Sequence, residues 1–170
     1  MSHIELRLIE ENELEEALRL EQRCYTPEAA ATGEGFRYRF DQYKDYFWSA
    51  WSGGKLLGIT NGIRTKAWSC GDEMKGSQQD EEEGNNFCIL TVAVAEEARR
   101  QGIGAMLLNR LLAVCDAMGH DAVLLMCEQH LVSFYEQAGF TYAGLAASSH
   151  GGIEWHEMRR TLHIMEHLTK

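Results

Sequence analysis

The chain lacks several features that would assign it quickly to a class. No apolar stretch in its 170 residues approaches the roughly 18 uninterrupted residues that a membrane span needs. The start, "MSHIELRLIEENELEE", is charged within five residues and has no apolar core of a secretion signal, so a cytoplasmic protein is expected. Five cysteines, at 24, 70, 88, 115 and 127, form no C-x-x-C pair, and an odd number of them inside apolar runs argues for small buried hydrophobes over a disulfide frame or metal site. Net basic charge is also missing. At −10 the chain is a poor partner for a phosphate backbone, so no nucleic acid is expected; the lack of long apolar runs and of metal-type cysteine spacing leads to no membrane and no metal being expected either. Acidity does suit a cationic substrate, although part of it sits in "GDEMKGSQQDEEEGNN" (71 to 86), which has the composition of a solvated loop.

What is present is ordinary globular material, 45% hydrophobic and 25% charged, enough for one domain spanning 1–170 with one core. Strand and helix patterns alternate without a repeat or a linker. A short strand at Ile4 to Ile9 precedes a helix for which Asn12 is the expected cap, with Leu14, Ala17, Leu18 and Cys24 on one face. The single proline, Pro27, interrupts. Phe36, Phe40, Tyr43 and Phe47 then recur at helical spacing, and "YFWSAW" and "KLLGITNGIRT" around Ser52-Gly53-Gly54 form a hairpin pattern. After the acidic segment, "FCILTVAV" (87 to 94) is a strand pattern buried on both faces. A helix over about Gly102 to Met118 follows, ended by Gly119, and then a second buried strand, "AVLLMC". This is a β-α-β crossover, which sets the helix N-terminus beside the carboxyl end of the first strand. "HLVSFYEQAG" gives a short helix, and "FTYAGLAA" and "IEWHEMRRTL" a C-terminal β-hairpin over "SSHGG".

The mouth of the crossover helix, "ARRQGIGA" (98 to 105), places two arginines and a Gly-x-Gly where unpaired backbone N–H groups and the positive end of the helix dipole meet, which suits an anion. A P-loop is excluded, because no Gly-Lys-Ser/Thr follows. A dinucleotide fingerprint fits poorly: Gly102 and Gly104 match and Glu128 could face a ribose, but Leu107 replaces the third glycine and too little chain remains. The third reading is the pyrophosphate arm of coenzyme A, read by R/Q-x-x-G-x-G/A between a buried strand and a helix, and Arg99 to Gly104 match it fully.

With Phe-Tyr-x-x-x-Gly-Phe at 134 to 140, the chain resembles the GNAT-superfamily N-acetyltransferases from Leu6 to Leu162. "LLMCEQHLVSFYEQAGF" is similar to the arylalkylamine and the microbial amine and polyamine acetyltransferases, and "RCYTPEAA" and "SSHGGIEWHEM" to the microbial branch. The resemblance implies an α/β fold with a mixed central sheet, flanking helices and the terminal hairpin. It implies acetyl-CoA as co-substrate, its pantetheine arm along the backbone of Thr91, Val92, Ala93 and Val94 as an added strand. The pyrophosphate would lie on the amides of Gln101, Gly102, Ile103, Gly104 and Ala105, with Arg99 and Arg100 supplying charge.

Tyr135 matches the family's tyrosine near the thioester sulfur, a phenol able to protonate a departing thiolate; the same position also suits an aromatic packed on the core. Animal relatives carry a histidine pair in the strand before the motif, where this chain has Cys88 and Leu90, neither a comparable base. Glu128 and His150 are the remaining candidates, each also suited to a structural role. Cys88 reads as packing, which disfavours a ping-pong route and favours direct attack in a ternary complex. Eight of the sixteen aromatics fall between Phe36 and Trp51, a region that relatives place, with Tyr25 and Pro27, beside the amine; the same stripe also reads as core. The expectation is acetylation of a primary amine of a small molecule by a monomer or homodimer. A protein acetyltransferase and a CoA-binding module without catalysis are the alternatives.

Overall fold

The computed structural model describes residues 3–26, 29–68, 84–146 and 152–163. Pro27, His150 and Cys70 lie outside the described residues. A seven-stranded mixed sheet runs in the order β1 (Glu5–Leu8), β2 (Trp48–Ser52), β3 (Lys55–Thr65), β4 (Asn86–Val94), β5 (Ala122–Cys127), β7 (His156–Thr161), β6 (Thr141–Leu145). Only β4 and β5 pair in parallel, as a crossover requires; the other neighbours are antiparallel. Helices α1 (Leu14–Cys24), α2 (Gly33–Tyr43), α3 (Ile103–Ala117) and α4 (Val132–Gln137) flank the sheet.

Helix α3 is the crossover helix. Its Ile103, Leu107, Leu108, Leu111 and Leu112 are buried, each contributing roughly 2 kcal/mol of gross apolar transfer. Packing on that scale, rather than helix propensity, holds the element in place. It closes at Gly119, as the pattern predicts, where the His120 N–H returns to the Cys115 carbonyl (3.1 Å).

Two local expectations are corrected. Asn12 does not cap α1. A 3-10 turn at Glu11–Glu13 precedes the helix, and the Glu13 carboxylate accepts the Glu10 N–H (2.9 Å) while held by Arg7 at 2.6 Å. Phe47 is not part of the α2 stripe, because the helix stops at Tyr43 and a 3-10 turn at Lys44–Tyr46 follows. Phe47 still reaches the core, edge-on to Phe36 with ring centroids 5.2 Å apart. The aromatic stripe is therefore core: Phe36 and Tyr43 are buried.

A β-bulge bends the middle of the sheet. Asn61 pairs with Thr91 and Gly62 with Ile89, so Leu90 is the extra residue on β4, and the strand beyond it is re-aimed. Gly62 makes the bulge possible, since a Cβ there would lie 2.1 Å from the Cys88 carbonyl oxygen and 2.7 Å from the Phe87 ring. Gly62→Ala is expected to cost about 3 kcal/mol or more through overpacking against backbone, read as a lower urea midpoint at unchanged m-value.

Candidate functional site

Strands β4 and β5 begin together and then part. Their pairing runs from Asn86↔Ala122 to Ile89↔Leu125, yet β4 continues to Val94 and β5 to Cys127. The carboxyl half of β4 thus keeps β3 on one side and has no β5 pairing on the other. The wedge between the strands is a cleft of about 470 Å³, walled by Val92, Ala93 and Val94 of β4 and by Glu128, His130 and Leu131 after β5. Phe134 and Tyr135 of α4 and Cys24 and Tyr25 at the end of α1 close it, while Arg99, Arg100 and Gly104 line its mouth. A second cavity of about 260 Å³ shares Val94, Arg99, Arg100, Gly104 and Phe134 and extends over Gly102, Ile103 and Ala105 at the start of α3.

The turn into α3 is built for close approach to backbone. Gly102 is left-handed (φ 79°), and Arg100, a side-chain-bearing residue, is left-handed too (φ 68°). Such a conformation costs a non-glycine residue of order 1–3 kcal/mol. The first α3 hydrogen bond of this turn is Met106 N–H to the Gly102 carbonyl (3.0 Å), and the N–H groups before it in the first turn have no intrahelical acceptor. Two guanidinium groups beside those amides give the mouth a positive field.

Tyr135 is buried, its ring edge-on to Phe134 (5.0 Å) and Phe140 (5.7 Å). Burial pushes its phenol well above the usual tyrosine range, so the proton stays on oxygen at neutral pH. Burial likewise pushes Tyr25 far up, with the Glu21 charge adding to it. The Tyr25 hydroxyl donates to the Val92 carbonyl (3.3 Å); the Cys24 thiol (3.4 Å) and Arg99 Nε (3.2 Å) donate to the Val94 carbonyl.

Beneath this wall lies a polar cluster that sequence reasoning missed. Arg39 of α2 and Glu21 of α1 face each other at 3.6 Å with side chains 0% and 2% exposed. Arg39 Nη1 donates to Asn61 Oδ1 (2.9 Å) and Thr91 Oγ1 (3.0 Å), and Glu21 accepts from the Thr91 hydroxyl and the Ala31 N–H. The signal was available: Glu21 stands on the buried face of α1 with Leu14 and Ala17, and Arg39 follows Phe36 by three residues, both at positions where helix periodicity asks for an apolar side chain.

Of the expected site residues, the cleft gathers Tyr25, Val92, Ala93, Val94, Arg99, Arg100, Gly104, Glu128 and Tyr135, and the second cavity adds Gly102, Ile103 and Ala105. Thr91 does not line either space: it is 1% exposed, its hydroxyl turned to Glu21 and its carbonyl accepting from Thr60 Oγ1 (2.7 Å). Gln101 is exposed and lines neither cavity. Cys24, His130, Leu131 and Phe134 were not expected there. None of the aromatics from Phe36 to Trp51 lines the cleft; they fill the core instead, and the cleft's aromatics are Tyr25, Phe134 and Tyr135. Among the described residues no group of three His, Cys, Asp or Glu could hold a metal ion, and no helix is long and apolar enough to cross a membrane.

The sequence model of the acetyltransferase (GNAT) family matches residues 14–140. Solved structures superpose over almost the whole chain. The loading GNATL domain of CurA from Lyngbya majuscula has a TM-score of 0.81 at 14% identity, covering 94% of this chain and 98% of that one. The ribosomal-protein-S18-alanine N-acetyltransferase from Escherichia coli has a TM-score of 0.69 at 16% identity, covering 94% of each chain. Arabidopsis thaliana Naa50, in complex with the bisubstrate analogue CoA-Ac-MVNAL, has a TM-score of 0.74 at 14% identity, covering 93% of this chain and 98% of that one. At these identities the likeness is one of fold.

Proposed function

Because the chain belongs to the GNAT acetyltransferase family, and is thereby an acyl-CoA-dependent N-acetyltransferase, we propose that it acetylates a primary amine of a small molecule of the arylalkylamine or polyamine class, as one domain spanning 1–170. The observation that carries this reading is the parting of β4 from β5, which leaves a strand edge, a helix mouth of positive field and a buried tyrosine around one cleft. These residues fit an acyl-CoA. The Val92 to Val94 edge suits an extended amide-bearing arm, and the first turn of α3 with Arg99 and Arg100 suits its pyrophosphate. Acetyl-CoA supplies the acetyl group as a thioester.

The roles of the side chains follow from their chemistry. An amine is mostly ammonium at neutral pH and must lose a proton before its nitrogen attacks. Glu128, half-buried on the cleft wall, draws the ammonium in and accepts that proton. As the C–N bond forms and the C–S bond breaks, the electron pair leaves on sulfur, Tyr135 gives its phenolic proton to the thiolate, and the tyrosinate so formed recovers a proton from the acylated nitrogen, which is left as a neutral amide. A half-buried carboxylate sharing the cleft with Tyr25, Phe134 and Tyr135 favours a cationic amine with an apolar body.

A second reading, transfer to a peptide N-terminus, draws on the fold shared with the Escherichia coli and Arabidopsis proteins. The deciding experiment is thiol release from acetyl-CoA across arylalkylamines, polyamines, aminoglycosides, lysine peptides and N-terminal peptides. The expected result is a kcat/KM for one free-amine class at least tenfold above every peptide. The opposite ranking would replace the small-molecule reading with peptide acetylation.

A further inference from the structure

The carboxyl half of β4 has lost β5 as a partner, but its carbonyls are taken. Three side-chain donors converge on two of them: Tyr25 Oη on Val92 (3.3 Å), and Cys24 Sγ (3.4 Å) with Arg99 Nε (3.2 Å) on Val94. Two of the three donors come from the last turn of α1 and the residue after it, 67 and 70 positions away in sequence. Cys24 is further tied to Arg99, whose Nη2 lies 3.9 Å from its sulfur. The arrangement reproduces with side chains what a neighbouring strand would provide with N–H groups.

We propose that Cys24 and Tyr25 are stand-ins for the pantetheine amides: in the unloaded enzyme they occupy the hydrogen-bonding edge of β4, and loading of acyl-CoA exchanges them for the donor's own N–H groups. The inference rests on the acyl-CoA reading of the cleft. Each exchange replaces one hydrogen bond by another, so the side chains act as competitors and lower donor affinity. Burial keeps both groups protonated and therefore able to donate. Arg99 is exchanged in a more favourable direction, leaving a neutral carbonyl for a pyrophosphate. The consequence reaches the acceptor side, because Tyr25 lines the same cleft as Tyr135 and Glu128, and its release from Val92 changes the wall the amine meets.

The test is CoA affinity by calorimetry for the wild type, Tyr25→Phe and Cys24→Ala, with hydrogen exchange on the wild type with and without CoA. Removing a competing hydrogen bond is expected to tighten CoA binding by about twofold to tenfold in each variant. Amides of residues 22–26 are expected to exchange faster when CoA is bound while those of β4 exchange more slowly. A side chain that merely packs would produce neither result. Unchanged or weaker CoA binding in both variants, with slower exchange at 22–26, overturns the stand-in role. Absence of CoA binding to the wild type overturns the acyl-CoA reading itself, and the two failures are told apart by that control. If Tyr25→Phe unfolds, Cys24→Ala and the wild-type exchange pattern decide.

Discussion

Tyr135→Phe is expected to lower kcat by on the order of 10²–10³ while changing CoA affinity by less than about twofold. The substitution removes one oxygen and keeps the ring, so the edge contacts with Phe134 and Phe140 survive and the fold is preserved. On the proposed mechanism, what is lost is the proton given to the departing thiolate. The pH dependence has a definite sign. Burial raises the phenol well above 10, so the acid stays protonated and the wild-type kcat shows no basic limb from this group below pH ~10. Glu128→Gln should lower kcat as well, by removing the group proposed to take the ammonium proton. Steady-state kcat against pH for the three proteins is the measurement. A fall of less than about threefold in Tyr135→Phe would assign the tyrosine to packing and the acid role to another group.

The division between what the residues announce and what they conceal has a physical origin. The crossover was legible because "FCILTVAV", the α3 stripe and "AVLLMC" each satisfy a local period, and the Gly-x-Gly after two arginines marks a helix mouth without reference to the rest of the chain. The parting of β4 from β5 was not, because it depends on a bulge at Leu90 that only the partner strand reveals. The resemblance to GNAT enzymes supplied the expectation for the β4 edge, while the inward turn of the Thr91 side chain to Glu21 is visible only in the folded chain. Aromatic density was ambiguous for a related reason. Phe36, Tyr43 and Phe47 carry a composition that suits a binding wall or a core, and their burial settles it as core. Charged residues on apolar stripes were the signal left unread, and they identify the network on which the cleft wall stands.

That network yields the largest expected change in stability. Arg39→Met leaves the Glu21 carboxylate buried without its cation, at a cost of about 3–5 kcal/mol. This is a large part of the 5–15 kcal/mol that typically separates folded from unfolded domains, so the variant should sit near its unfolding threshold. Glu21→Met combined with Arg39→Met should regain most of the loss, because two uncharged side chains demand no compensation in a dry site. Urea unfolding of the two single variants and the double variant at pH 7 measures the cycle; single-variant losses below about 1 kcal/mol would mean that the pair is solvated and energetically idle. The double variant then separates folding from function. Thr91 carries the network into β4 one residue before Val92, and Tyr25 shares its field with both Glu21 and Arg39. A protein that regains stability without regaining kcat/KM would show that the buried charges are retained for the position of Tyr25 and the β4 edge, since apolar replacements serve the core as well.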